Sequence, residues 1–406
     1  MGGPDALDPW TVVPAEEFRD RQDRARRAAQ EAGLDGVVVY SRGGAFVDMC
    51  ADVLWLTNHY SQQPYVADHV GIGTARSHGV VVLPVEGPTV LVVDIPWWRP
   101  DLVVADDVRA SIHVTARVGE ALRDTGLLGR RVGLVGASYM TAAAYLGLRE
   151  VAGDTDLARA DDLVERLRVI KSPAEQRLVR RAADIGNRAV AAIAEAAVEG
   201  ATEADAVRAG LDVITPSGAV LYDAACSSGA VAHQFTWARL PSHDALRPLR
   251  RGDLFHFDCY GAYGGYLWDF GRTRVVGDRP TDEQRALVEA TIEAVEVACS
   301  AVRPGVRAEQ VYAEAAAWLD QSSVVRSLPP SEPETEGFPA VGHGLGMSWE
   351  APWLMEGDRT VLEPGMYLAV EVLLGHPSVG GAMFEQNGLV TREGFEVLTT
   401  CRARWW

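Results

Sequence analysis

The sequence predicts a two-domain α+β protein, a smaller α/β domain followed by a larger domain of helices and antiparallel hairpins. Three observations carry this. Residues up to about 165 alternate helix and strand patterns, as α/β units do. At "RVIKSPAEQRL" one helix ends near Lys171, and Ser172 with Pro173 and Glu175 opens another through a capping box with proline at its first position. Beyond that joint, helices and hairpins come in blocks rather than in alternation. The expected domains are residues 1–168 and 169–406.

In chain order, "EEFRDRQDRARRAAQEAGL" is an amphipathic helix ending near Gly33. "DGVVVYS" and "DVLWLTNHY" read as buried strands, and "HGVVVLP" with "PTVLVVD" as a hairpin around a Glu-Gly-Pro turn. "RRVGLVG" is a further buried strand, followed by the helical "YMTAAAYLGLRE". In the second domain helices are expected over 174–198 and 202–214, hairpins over 219–276, a helix from Thr281 with a Thr-x-x-Gln capping box, and another over about 307–320. Gly-rich hairpins fill the C-terminal part.

Composition excludes several classes. The net charge of -18 leaves no basic stripe for phosphates or anionic membranes. The five cysteines are scattered, with no CxxC spacing, so neither a zinc knuckle nor a disulfide framework is expected. "MGGPDALDPW" has no signal-peptide pattern, and no apolar run reaches the roughly 18 residues of a membrane span. A cytoplasmic protein is the expectation, with a small-molecule or short-peptide partner and neither nucleic acid nor membrane.

The chemistry concentrates in "FDCYGAYGGYLWDFGRTR". Asp258 and Asp269 interrupt an otherwise apolar hairpin, although Asp is a poor strand former. A turn centred on Tyr263 and Gly264 would make them a direct cross-strand pair, with Cβ atoms roughly 5 Å apart. Carboxylates so spaced can bridge two cations about 3.5–4 Å apart. "GHGLG" exposes His343 between glycines, while Glu371 in "PGMYLAVEV" and Glu385 in "GGAMFEQNGLV" sit in apolar strands, where an unpaired carboxylate is costly. Singly, each has an ordinary reading as a turn or solvent-facing residue. Together, four carboxylates and one imidazole suit Mn²⁺, Co²⁺, Fe²⁺ or Zn²⁺ rather than a thiolate-seeking metal.

The order Asp258, Asp269, "GHGLG", "EPGMYLAVE", Glu385 resembles the pita-bread family of methionine aminopeptidases, prolidases, aminopeptidase P and creatinase. "LRVIKSPAEQRLVRRAADI" is similar to the opening of the catalytic domain in its two-domain, creatinase-like members, and "VTREGFEVLT" to its closing strand. The resemblance spans most of 165–401. It implies a pita-bread catalytic domain behind a creatinase-type N-terminal domain. It also implies two divalent metal ions on Asp258, Asp269, His343, Glu371 and Glu385, a water or hydroxide between them as nucleophile, and Glu371 as ligand and base. Creatinase itself lacks this ligand set. A homodimer is implied too, with "LTNHYSQQPYVADH" (56–69) as the candidate crossing loop.

The departures bear on substrate. The metallopeptidases of the family carry a second histidine in the loop that here reads "GHGLGMSWEAP", one residue shorter, with Trp349 at that place. They carry an Arg where Met383 stands. Their upstream substrate histidine corresponds best to His243, with His233 in reserve. The shortened loop is similar to that of pita-bread lyases acting on dimethylsulfoniopropionate, which place an Asp there as base. Trp349 and Trp353, with Trp237, Tyr266 and Trp268 nearby, could stack on a flat or cationic group, although Trp268 reads better as core. The leading expectation is a dinuclear-metal-dependent hydrolase of an amide or related C–N bond in a small substrate, Xaa-Pro peptidase-like with a diverged pocket. A metal-dependent lyase on a sulfonium osmolyte and a non-catalytic binding module are the alternatives.

Overall fold

Val37, Val38 and Val39 are fully buried and form the middle of the first sheet. The computed structural model describes residues 8–44, 47–235, 240–277, 279–327 and 339–406; Trp237 lies outside them. The chain divides into two units, Met1–Arg168 and Val169–Trp406.

The first unit runs α1 (Ala15–Glu31), β1 (Gly36–Tyr40), α2 (Ala51–Thr57), β2 (Val80–Pro84), β3 (Val90–Val93), β4 (Asp107–Ala110), α3 (Val114–Asp124), β5 (Arg131–Val135), α4 (Ala142–Ala152), β6 (Asp156–Arg159) and α5 (Asp162–Arg168). Its sheet has the order β4-β3-β2-β1-β5-β6, with β1 antiparallel to β2 and parallel to β5. One expectation is corrected here: "DVLWLTNHY" is not a strand, because Ala51–Thr57 is the helix α2, closed by Asn58 in the left-handed conformation (φ 57°). Every residue of α2 is buried, so its sequence shows no alternation that could tell a helix from a buried strand. Its Trp55 carries the guanidinium groups of Arg21 and Arg24 over its ring, at 4.9 and 5.5 Å.

The second unit runs α6 (Pro173–Ala196), α7 (Glu203–Ile214), β7 (Val220–Ser228), β8 (Leu254–Tyr263), β9 (Tyr266–Val275), α8 (Asp282–Ala301), α9 (Ala308–Gln321), α10 (Ser323–Ser327), β10 (Ala340–Leu345), β11 (Trp349–Met355), β12 (Tyr367–His376), β13 (Gly380–Val390) and β14 (Phe395–Val397). Capping boxes start α6 at Ser172 and Glu175, α7 at Thr202 and Asp205, and α8 at Thr281 and Gln284. Two antiparallel sheets result, β7-β8-β9 and β11-β10-β12-β13-β14.

Alternation along these strands decides what faces what. Leu368, Val370 and Val372 of β12 and Phe384 of β13 join Leu287, Val288 and Val295 of α8 in one apolar core. Glu371 and Glu385 therefore point to the other face of that sheet. On β9, Trp268 and Phe270 pack at Gly186 of α6, where an added Cβ would lie 2.7 Å from the indole. Asp269 takes the opposite face. The acids thus meet between the two sheets, each of which has a helix on its outer side. Asn387 locks the sheets together: its Oδ1 accepts from Asp269 N at 2.9 Å, and its Nδ2 donates to Asp269 O.

Candidate functional site

The β8–β9 hairpin turns through Gly264 and Gly265, both left-handed (φ 59° and 86°). This two-residue loop matches the right-handed twist of the strands. It sets Tyr263 opposite Tyr266, Tyr260 opposite Asp269, and Asp258 opposite Gly271. The expectation of a direct Asp258–Asp269 pair is corrected: the two acids sit diagonally on one face, offset by two residues. They still meet, because Gly271 has no side chain to separate them, and the carboxyl of Asp258 lies against those of Asp269 and Glu385.

Glu371 and Glu385 are direct cross-strand partners on β12 and β13. His343 enters from β10, paired with Ala369, and is buried, not exposed as its flanking glycines suggest. Its flanking glycines are required by close approach: a Cβ on Gly342 would sit 2.2 Å from Ala369 O, and one on Gly344 2.2 Å from Ala351 O. His343 Nδ1 lies 2.9 Å from the carbonyl of Gly344, which only accepts, so the ring carries its proton there. The unprotonated Nε2 faces Asp269 Oδ2 and Glu371 Oε1, each at 3.7 Å. Burial holds this imidazole neutral, with its pKa lowered to about 4.

The electrostatics are those of crowded, dry acids. Burial pushes Asp258 up to about 7, with Asp223 adding to the rise. Burial and Asp258 push Glu371 up to about 8. Burial and the neighbouring carboxylates hold Asp269 and Glu385 well above the usual range. Asp258 Oδ1, Asp269 Oδ1 and both carboxylate oxygens of Glu385 are buried without a hydrogen-bond partner. Asp269, His343 and Glu385 each offer an atom within 4.8 Å of the others. Buried carboxylate oxygens that lack donors, beside the imidazole of His343, fit divalent cations. Glu371 is the most open of the set, its side chain 19% exposed against 4% for Asp269.

The other residues singled out from the sequence take varied positions. Trp349 is half exposed and donates its indole N–H to Asp269 Oδ2 at 2.6 Å. Trp353 is the cross-strand partner of His343, its ring 5.6 Å from the imidazole. His233 lies over the Gly375–Gly381 pair, on the face of Glu371 and Glu385 but four residues further along, or ~13 Å at strand rise. His243 sits beside β7, between Ser242, whose hydroxyl donates to Ala224 O, and Asp244, whose N–H donates to Glu203. Among the described residues neither histidine hydrogen-bonds to the acids, and both have a buried, unpartnered Nδ1. Tyr266 is no pocket residue: it is buried and its hydroxyl donates to Glu175 at 2.8 Å. Trp268 is fully buried core. Met383 is buried over Gly271, where a Cβ would meet its sulfur at 2.5 Å.

Four further residues at the site lie beyond the sequence expectation. Tyr260 shares the face of Asp258 and stacks edge-on with Trp349 at 5.5 Å; its place two residues after Asp258 is a usable signal. Asp223 pairs with Tyr260 across β7–β8. Arg272 is buried and donates to Glu385 O, and Asn387 clamps Asp269. These three act across strands distant in sequence, and nothing local marks them.

Comparison with known proteins adds the following. The model of metallopeptidase family M24 matches residues 177–392, and that of the creatinase/prolidase N-terminal domain matches 21–170. An Xaa-Pro dipeptidase of Pyrococcus horikoshii is 29% identical over 257 residues, covering 62% of this chain and 68% of its own. A probable dipeptidase PepE of Mycobacterium tuberculosis is 30% identical over 248 residues, covering 60% and 61%. Among solved structures, an Xaa-Pro dipeptidase from Bacillus anthracis superposes with a TM-score of 0.77 at 23% identity, over 96% of this chain and 99% of that one. Dipeptidase PepE from Mycobacterium ulcerans gives 0.74 at 24%, over 97% and 98%. At such identities the structures speak to the fold.

Proposed function

We propose, from the premise that this chain belongs to metallopeptidase family M24 and carries the creatinase/prolidase N-terminal domain, that it is a dinuclear-metal-dependent hydrolase of an amide C–N bond in a small substrate. The observation that carries this is the convergence of Asp258, Asp269, His343, Glu371 and Glu385 with buried, unpartnered carboxylate oxygens. These five residues would hold the cations, which when bound lower the pKa of water and polarise a carbonyl.

The chain's own groups supply the rest. Glu371, the most solvent-reached of the acids, would take the proton from the attacking water and return it to the leaving nitrogen. His343 stays neutral, keeping Nε2 as a donor atom. Arg272, beneath the Glu385 backbone, tempers the negative charge of that acid. Tyr260, Trp349 and Trp353 line the open side. His243 and His233 remain the candidates for substrate contact, each with a spare buried nitrogen.

Xaa-Pro dipeptides are the first substrates to test, because relatives at 28–30% identity are named for them or as dipeptidases. We propose that they turn over poorly. Trp349 cannot accept a proton and has its N–H engaged, and losing one positioned donor costs on the order of 10²–10³ in rate. The test is a screen of Xaa-Pro dipeptides beside cyclic amides, amidines and betaine-like compounds, with Mn²⁺ and with chelator. Metal-dependent amide cleavage supports the proposal; cleavage of nothing in any class sinks it. Rapid Xaa-Pro turnover would retain the hydrolase and refute the diverged pocket. The same reading carries a homodimer, which light scattering at working concentration would test; an active monomer refutes it.

A further inference from the structure

Trp349 stands where a substrate-facing group is expected, yet its N–H points inward. Nε1 donates to Asp269 Oδ2 at 2.6 Å, and this is the oxygen that lies 3.7 Å from the unprotonated Nε2 of His343. The ring is gripped edge-on by Tyr260 at 5.5 Å and His343 at 6.0 Å, while half the residue remains exposed. The bond is therefore no by-product of burial. The next residue is anchored as well: Glu350 is 1% exposed, pairs with Lys171 and accepts from Ser348 Oγ at 3.3 Å.

An indole has one proton to give and no lone pair to offer. With that proton on Asp269, Trp349 has no donor left for a substrate and presents only a ring. A carboxylate oxygen has two lone pairs, so the indole bond would still leave one on Asp269 Oδ2 for a cation, and Oδ1 is unpartnered. We propose that Trp349 is a positioning residue of the metal centre, fixing the plane of the Asp269 carboxylate by an N–H bond while its exposed ring forms an apolar plate over the site. This rests on the metal-binding reading above and goes beyond it by turning Trp349 from the substrate to the protein's own ligand.

The test is calorimetric titration of the metal-free full chain with Mn²⁺, for wild type, Trp349→Phe and Trp349→Leu, with the visible absorption of the Co²⁺-loaded proteins as a second readout. Trp349→Phe keeps an aromatic plate and loses only the N–H. Removing such an outer partner weakens cation binding by about 10-fold or more, so both variants should weaken at least one Mn²⁺ by that factor and shift the Co²⁺ bands. Wild-type affinity and spectrum in Trp349→Phe would overturn the inference while leaving the metal site standing. Weakening in Trp349→Leu alone would assign the effect to the ring and overturn it equally. A wild-type chain that binds no Mn²⁺ removes the metal reading and this inference together.

Discussion

Glu371 and Glu385 face each other directly across β12 and β13, and both carboxylates lie among Asp258, Asp269 and the imidazole of His343. Like charges directly opposed on a sheet are destabilising, and burial deepens the cost. Without cations the acids respond by holding protons, which is what their raised pKa values express. The strand register thus creates a charge problem that bound cations would relieve.

Cation binding must expel those protons. Asp258 and Glu371, raised to about 7 and about 8, are largely protonated at pH 6 and largely ionised at pH 9. Mn²⁺ binding, followed in buffers of different ionisation enthalpy, should release more protons at pH 6 than at pH 9. The stability of the metal-free chain follows the same sign. Acids raised in the folded state contribute stability that is fully present below their unfolded values near 4 and is lost as pH climbs through about 7 to 8. Proton release independent of pH across this window would contradict the buried-acid picture.

Glu371→Gln keeps the shape of the side chain and removes its basicity. Turnover should fall by about 10²–10⁴-fold with the fold intact. Near wild-type rates, with circular dichroism unchanged, would place the proton acceptor elsewhere.

Lys171 and Glu350 form an ion pair with side chains only 2% and 1% exposed, and Lys171 also donates to Val169 O at 3.1 Å. Lys171→Met removes the buried cation opposite the Glu350 carboxylate, which costs about 3–5 kcal/mol. Chemical denaturation should read that loss. The double variant Lys171→Met with Glu350→Leu should recover much of it, since apolar replacement of a whole buried pair is often tolerated. A single variant as stable as wild type would mean that the pair is not desolvated in solution.

What the sequence discloses, and what it hides, follows from range. The capping boxes at Ser172, Thr202 and Thr281 are local and legible. So is the anomaly of each acid in an apolar strand, because a buried carboxylate conflicts with its neighbours in sequence. The hairpin register differs from the expected one by two residues, because the turn is centred on Gly264–Gly265 and not on Tyr263–Gly264; two adjacent left-handed glycines make the stronger two-residue loop. The helix α2 escapes a periodicity reading because uniform burial erases the pattern. The Trp349–Asp269 bond joins residues 80 apart, and no local pattern encodes it.

We propose that Asp258, Asp269, His343, Glu371 and Glu385 together hold two cations. Elemental analysis of the purified chain, loaded with Mn²⁺ and freed of excess, tests it most directly. Two Mn²⁺ per chain are expected in the wild type, with loss of bound metal in Glu385→Gln, which replaces an acid with two buried, unpartnered oxygens. A wild-type chain that is folded and carries no metal, or a Glu385→Gln chain that still carries two, would contradict it.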